Sequence, residues 1–423
     1  MTIQPWFSEA KLGIFVHWGI YSVHGIGESW PIFRGDIPYD TYMAQAAGFT
    51  AARYEPDIWA ELFAAAGARY AVLTSRHHDG VALFQTAVGD LSVPKQTPAG
   101  RDLVAPYVEA MRAHGLRVGL YFSLSDWSHP DYPTVRPRVF AHEQDADNRF
   151  AYPAAGRDDP EAWQRFLTFN RAQLTELCTH YGALDLLWFD GEWERDNDQW
   201  QLAAVRAELA NLQPTAIING RLRDHGDYAT PEQGLPIAAP NGPWELCLTI
   251  NDSWGWQPHD HNNKSVRQLV RVFAQVIGMG GNLLLSVGPR EDGTITAEQG
   301  NRLRGLGAWI RRHERAIYPT ERGLPDGHFY GASTLSRDRR TLYLFAFDRP
   351  VESIELRGVR GTPRRVSVVG ADRDLTFRAT PGLEDVPGLL YIDVPEDCLD
   401  PEATVFRLDY ADPIELYRGP GRA

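Results

Sequence analysis

The sequence predicts an α/β fold, a (β/α)8-like barrel over residues 1–320, followed by a small C-terminal antiparallel β-sandwich over residues 321–423. Three observations predict it. Up to about residue 318, short apolar runs alternate with amphipathic stretches, as parallel strands covered by their crossover helices do. Several of these runs end in a polar or ionisable residue, as in Leu184-Asp185-Leu186-Leu187-Trp188-Phe189-Asp190-Gly191. Such residues belong at the C-terminal strand ends, where barrels and open α/β sheets do their chemistry. Beyond Pro319 the texture changes to short alternating segments punctuated by Gly and Pro, the signature of a small sandwich.

The elements follow in order. Lys11 to Gly19 reads as the first strand, and its following loop holds His24, Glu28 and Trp30. A helix over 56–66 has Pro56 in its first turn, Trp59, Leu62 and Phe63 on one face, and Gly67 to close it. The strand Tyr70 to Ser75 runs into Arg76-His77-His78-Asp79-Gly80. A helix from Asp102 to His114 stops at Gly115, and Arg117 to Leu124 is the third strand. A Pro- and charge-rich insertion at 126–158 breaks the rhythm before a long helix, Pro160 to Tyr181, which leads into the strand ending at Asp190. A helix over 196–212, a strand Ala216 to Asn219 and a polar excursion over 220–243 come next. The strand Leu246 to Ile250, a helix over 264–278, the strand Asn282 to Val287 and a helix from the capping box Thr296-Ala297-Glu298-Gln299 to Ala316 complete the barrel. That makes seven strands where a regular barrel closes with eight. Either the eighth lies in 126–158 or 220–243, or the barrel is irregular. The linker is expected near Tyr318 to Asp326. Sandwich strands are expected in Tyr330 to Phe347, Val351 to Leu356, Arg364 to Val369, Leu390 to Val394 and Thr404 to Leu408.

Composition narrows the partners. The charge of 42 − 55 = −13 argues against a nucleic-acid backbone or an anionic membrane. Cys178, Cys247 and Cys398 are odd in number and far apart, so neither a disulfide framework nor a zinc site is expected. The N-terminus lacks the basic start and apolar core of a signal peptide, and no apolar run reaches membrane-spanning length. A cytoplasmic protein is expected, although a secreted chain with its leader removed reads the same. Thirteen tryptophans are many for this length. Such rings fill cores and also stack on the apolar faces of sugars.

The residues expected at the barrel mouth are His17, then His77 and His78, Trp188 and Asp190, Arg221 and Glu232, Trp254, and Asn282. Each has an ordinary structural explanation: a core histidine, a turn aspartate, a packing indole. Adjacent histidines on a strand, for instance, point to opposite faces. Their recurrence at most strand ends is what favours a site. His17, His77, His78 and Asp79 are metal-ligand types but lack ligand spacing, while His259 and His261 have the spacing in a polar loop. No metal is therefore expected. No Gly-x-Ser-x-Gly elbow occurs, and no G-x-G-x-x-G follows the first strand, so neither a serine triad nor a nucleotide cofactor is expected. Two carboxylates at a mouth lined by indoles and hydroxyl-binding groups match glycoside hydrolysis, which needs one ionised carboxylate and one protonated acid.

Six segments carry a resemblance: Lys11 to Gly19, Arg76 to Gly80, Leu187 to Gly191, Asp227 to Glu232, Trp244 to Cys247 with Asn251 to Gly255, and Gly281 to Pro289. Together and in this order they resemble the α-L-fucosidases of glycoside hydrolase family 29, over residues 6 to about 318 and with a sandwich following. The resemblance implies a retaining exo-α-L-fucosidase acting on fucosylated oligosaccharides or glycoconjugates. It implies Asp190 as nucleophile and Glu232 as acid/base; on the chemistry of the residues alone, Glu192, Glu194, Glu245 and Asp227 are rivals for the acid. The sugar-binding residues it implies are His17, His77, His78, Trp188, Arg221 and Trp254, together with Glu28 and Trp30 of the first loop. A glycosidase of another sugar specificity and an inactive fucose-binding barrel are the alternatives. Linkage preference and oligomeric state are not written in these motifs.

Overall fold

The structure is a computed structural model describing residues 3–132, 159–348, 352–371 and 373–419. Most of the insertion expected at 126–158 lies outside these residues. Seven strands form one parallel sheet: β1 (Leu12–Val16), β2 (Tyr70–Arg76), β3 (Arg117–Ser123), β4 (Leu186–Asp190), β5 (Ile217–Ile218), β6 (Glu245–Thr249) and β7 (Asn282–Val287). Their order is β5-β4-β3-β2-β1-β7-β6. β1, β2, β6 and β7 are buried along their whole length, as unbroken apolar runs between helices and a barrel interior must be.

The place of the missing strand is taken by an extended segment, residues 227–233, within the polar excursion. Tyr228 bridges Asn219, Ala229 bridges Trp244 and Glu232 bridges Cys247, all in parallel sense. The Asp227 N–H donates to Ile218 O (2.7 Å), and the Gln233 N–H donates to Cys247 O (2.9 Å). The segment thus joins the two edge strands, β5 and β6. Its ladder stays broken partly because Pro231 has no N–H to give. The barrel is therefore both closed and irregular.

The helices hold with shifts at their ends. Asp102 lies outside its helix, Val104–Ala113, and accepts from the N–H groups of Val104 and Ala105 (2.8 and 2.9 Å). The helix expected over 196–212 splits into Asn197–Trp200 and Leu202–Leu212 at Gln201, whose φ is +54°. The capping box expected at Thr296 is half formed. Thr296 caps the Gln299 N–H, but the Gln299 side chain accepts from the Gly288 N–H (3.2 Å). The reciprocal box is made at Ser265 and Gln268 instead, where Val266–Gly278 begins.

A short helix, Pro5–Ala10, plugs the barrel at the end away from the strands' C-termini. Phe7 packs on Tyr228 (ring centroids 4.4 Å apart) and joins Tyr70, Val72, Tyr121, Leu186, Trp188 and Leu284 in the barrel interior. Asn282, expected at the mouth, opens β7 at this lower end. It donates from Nδ2 to Phe7 O (2.6 Å) and accepts from the Lys11 N–H (3.0 Å). It is a structural fastening because it starts its strand and does not end it.

The sandwich has a six-stranded antiparallel sheet of β8 (Thr320–Arg322), β9 (Ala332–Ser336), β10 (Thr341–Ala346), β12 (Arg365–Val368), β13 (Arg373–Asp374) and β16 (Thr404–Asp409). A three-stranded sheet of β11 (Ser353–Leu356), β14 (Phe377–Ala379) and β15 (Leu390–Asp393) faces it. The segment Tyr330 to Phe347 is a hairpin of β9 and β10, and the expected linker contains β8. Leu342, Leu344, Phe406 and Leu408 fill the sandwich core, while Tyr343, Phe345 and Val405 alternate with them and join the barrel's core. Trp309 Nε1 donates to Ala403 O (3.0 Å) across the junction.

Candidate active site

The C-terminal strand ends open into a cavity of about 270 Å³ lined by Phe15, His17, Trp30, His77, His78, Tyr121, Trp188, Asp190, Trp193, Arg221, Glu232, Cys247 and Trp254. Its volume lies just under the range of pockets for drug-sized ligands and suits a single sugar ring. Asp190 ends β4, and Gly191 beyond it turns the chain with φ +79°. A side chain at 191 would collide with Ser125, whose Oγ stands 2.3 Å from the Cβ position. Glycine is what lets the chain turn immediately after the carboxylate.

Asp190 is held on three sides. Arg221 Nη1 donates to Oδ1 (3.0 Å), the Tyr121 hydroxyl donates to Oδ2 (3.1 Å), and His78 Nε2 stands 3.5 Å from Oδ2. Burial alone would raise its pKa. The Arg221 guanidinium, then His78 and His77, outweigh burial and hold the carboxyl well below the usual range. It stays ionised, as a nucleophile must. Arg221 is itself buried, which disfavours its charge, but Asp190 and the neighbouring acidic groups more than compensate and raise its pKa. Its guanidinium lies over the Trp188 ring, 5.4 Å from the centroid.

The other nitrogen of that guanidinium reaches Glu232, with Arg221 Nη2 2.5 Å from Oε2. One planar fork therefore holds both carboxylates. The side chain of Asp190 is 15% exposed and that of Glu232 41%. The first sits at the bottom of the cavity and the second at its rim, on the segment that closes the barrel.

Three histidines complete the floor, each tied at Nδ1 to a serine hydroxyl. His17 meets Ser286 (3.0 Å), His77 meets Ser29 (2.7 Å), and His78 meets Ser123 (2.6 Å) and Ser125 (3.0 Å). Nε2 is left to serve the cavity, as His78 does towards Asp190. Burial pushes the His17 pKa down to about 3 and that of His77 well below its usual value, so both rings are neutral at ordinary pH. Neutral imidazoles pair with sugar hydroxyls as donor or acceptor. His77 and His78 both reach the cavity, contrary to strand alternation, because β2 has ended at Arg76 before them.

The remaining carboxylates separate cleanly. Asp227 is fastened to Arg206 (2.8 Å) and to the Ile218 N–H (2.8 Å). Glu194 is buried beneath the Trp127 Nε1 (2.7 Å) and Tyr132 hydroxyl donors. Glu245 lies in the barrel interior, out of the cavity lining. Burial and then the Asp190 charge push Glu192 up to about 7, yet it too is absent from the lining. Glu28 is buried, and its Oε1 accepts from the Gly255 N–H. It holds the turn that follows Trp254 and is not among the residues that line the cavity. Tyr121, Trp193, Phe15 and Cys247 line the cavity without having been singled out in the sequence. Tyr121 was hidden in the apolar run of β3, yet a hydroxyl in a fully buried strand is a signal, since it must find a partner.

A parallel barrel whose mouth holds two carboxylates on one arginine, among indoles and neutral imidazoles, defines a glycoside hydrolase. The profile described as Alpha-L-fucosidase matches residues 1–315. The chain is 32% identical over 348 residues to the tissue alpha-L-fucosidase of Rattus norvegicus, covering 75% of this chain and 70% of that one. Among solved structures, alpha-L-fucosidase isoenzyme 1 from Paenibacillus thiaminolyticus superposes with a TM-score of 0.84 at 32% identity, covering 96% of this chain and 98% of that one. A Bacteroides thetaiotaomicron alpha-L-fucosidase, solved as a trapped covalent intermediate with 2-fluoro-fucosyl fluoride, superposes with a TM-score of 0.81 at 25% identity, covering 95% and 94%. The chain belongs to the alpha-L-fucosidase family and is a retaining glycoside hydrolase. No helix among the described residues is long and apolar enough to cross a membrane.

Proposed function

We propose that this chain removes terminal α-L-fucosyl residues from oligosaccharides or glycoconjugates by double displacement, with Asp190 as nucleophile and Glu232 as general acid/base. The observation that carries the assignment is the shared arginine, with Asp190 and Glu232 bound to neighbouring nitrogens of Arg221. Such a clasp keeps two carboxylates close, and direct retention needs them about 5–5.5 Å apart. Asp190, ionised and deep, attacks the anomeric carbon. Glu232, at the open rim, protonates the departing oxygen and then draws a proton from water for the second displacement. His17, His77 and His78 meet the ring hydroxyls. Trp188, Trp254 and Phe15 give the 6-deoxy sugar's methyl group an apolar neighbourhood.

Azide rescue separates the two roles. In Asp190→Ala, azide takes the nucleophile's place and the product is β-L-fucosyl azide. In Glu232→Ala, azide attacks the glycosyl-enzyme and the product is the α-anomer. Proton NMR of the anomeric signal reads the outcome. The same anomer from both variants, or turnover of an aryl α-L-fucoside by Asp190→Ala at close to the parent rate, contradicts the assignment.

A further inference from the structure

Glu245 opens β6 and is wholly buried in the barrel interior, beneath the cavity. Its carboxyl group meets three neutral donors. Trp188 Nε1 donates to Oε1 (3.0 Å), the Tyr228 hydroxyl donates to the same Oε1 (3.3 Å), and the Tyr70 hydroxyl donates to Oε2. Burial pushes its pKa up to about 7 despite those bonds. A carboxyl group in such a place is costly to the fold, and an apolar side chain of similar volume would pack there with less penalty. What it does gain is a connection. Trp188 stands two residues before Asp190 on the same side of β4. Tyr228 stands four residues before Glu232 on the segment that closes the barrel. One oxygen of Glu245 accepts from both.

We propose that Glu245 is a positioning residue that ties the strand carrying the nucleophile to the segment carrying the acid/base, and so sets the gap across which the two carboxylates work. This rests on the roles given above to Asp190 and Glu232. The tie acts by two routes. Tyr228 fixes where the segment to Glu232 sets out, and Cys247, two residues after Glu245, bridges Glu232 at its far end. Trp188 meanwhile lies under the Arg221 guanidinium that holds both carboxylates, so a shift of the indole shifts the clasp. Loosening Glu245 should therefore displace the acid more than it harms fucose binding.

The test uses leaving groups. Expulsion of phenoxide needs the acid, whereas expulsion of 2,4-dinitrophenoxide does not, and kcat/KM reports that glycosylation step. Tyr228→Phe removes one donor at nearly constant volume. It should lower kcat/KM for the phenyl α-L-fucoside roughly tenfold, the size of about one hydrogen bond's worth of transition-state alignment, and leave the dinitrophenyl substrate within about twofold. Glu245→Leu should lose more on the phenyl substrate and, because it also frees Trp188 beneath the clasp, a smaller amount on the dinitrophenyl substrate, and Glu245→Gln, which keeps an acceptor, should recover most of both. If Glu245→Leu does not fold, Tyr228→Phe decides. Equal losses on both substrates, or none on either, overturn the proposal. Glu232→Ala measured alongside keeps the two readings apart. If it lacks the leaving-group dependence, the acid assignment fails. If it has that dependence and Tyr228→Phe does not, only the positioning role fails.

Discussion

Asp190 keeps its charge in acid because Arg221 stands 3.0 Å from it, and that dependence can be measured. The carboxyl's folded-state pKa is depressed, so its share of stability and its readiness to attack are present above the ordinary carboxylate range. Both are lost only as pH falls through the lowered value. In the parent enzyme the acidic limb of kcat/KM against pH therefore belongs to some other group. Arg221→Met removes the cation, lets burial dominate and raises the Asp190 pKa. The acidic limb should move to higher pH, and kcat/KM at neutral pH should fall by roughly 100-fold, as for other lost charge-stabilising groups. A profile with an unmoved acidic limb would show that the guanidinium does not govern this carboxylate. Tyr121 belongs to the same scale. Its hydroxyl bonds Asp190 Oδ2, but in the sequence it read as one more apolar-facing position of β3.

At the scale of elements, legibility followed burial pattern. β1 to β7 are all visible because parallel strands covered on both faces read as apolar runs, β5 being the shortest. Their polar ends gave away His17, His77, His78, Trp188 and Asp190 for the same reason. The closing segment, 227–233, was not visible as a strand. It has no apolar run, is interrupted at Pro231, and meets its neighbours by isolated bridges only. Glu232 was therefore reached through its motif and not through periodicity. Asn282 starts β7, so it stands at the closed end beside Phe7 and not at the mouth. Glu28 is expected at the sugar, and the structure adds that its Oε1 accepts from the backbone N–H of Gly255. That contact crosses from one end of the barrel sequence to the other, and no local pattern could show it. The split at Gln201 had the same character, since a left-handed residue inside an amphipathic stretch leaves no compositional mark.

For the whole molecule, the sandwich and barrel share a core. Alternate residues of β10 and β16 face opposite ways, so Tyr343, Phe345 and Val405 pack on the barrel while Leu342, Leu344 and Phe406 fill the sandwich. Trp309, fully buried and bonded to Ala403 O, stands at that junction, far in sequence from any mouth residue. Trp309→Ala should lower unfolding free energy by about 3–5 kcal/mol, the usual cost of emptying such a site, while kcat/KM at a temperature where the variant is folded stays at the parent value. Chemical denaturation and steady-state kinetics on one preparation check both halves. A large loss of kcat/KM in the folded variant would mean that the sandwich reaches the active site through this junction.

The central claim, that Asp190 is the nucleophile held ready by Arg221, meets its most direct test in covalent labelling. The enzyme is treated with 2-fluoro-fucosyl fluoride, digested with a protease and sequenced by tandem mass spectrometry. The account predicts one added 2-fluoro-fucosyl mass, carried by the peptide containing Asp190 and localised to that residue. A label on Glu192, Glu232 or Glu245 would contradict it.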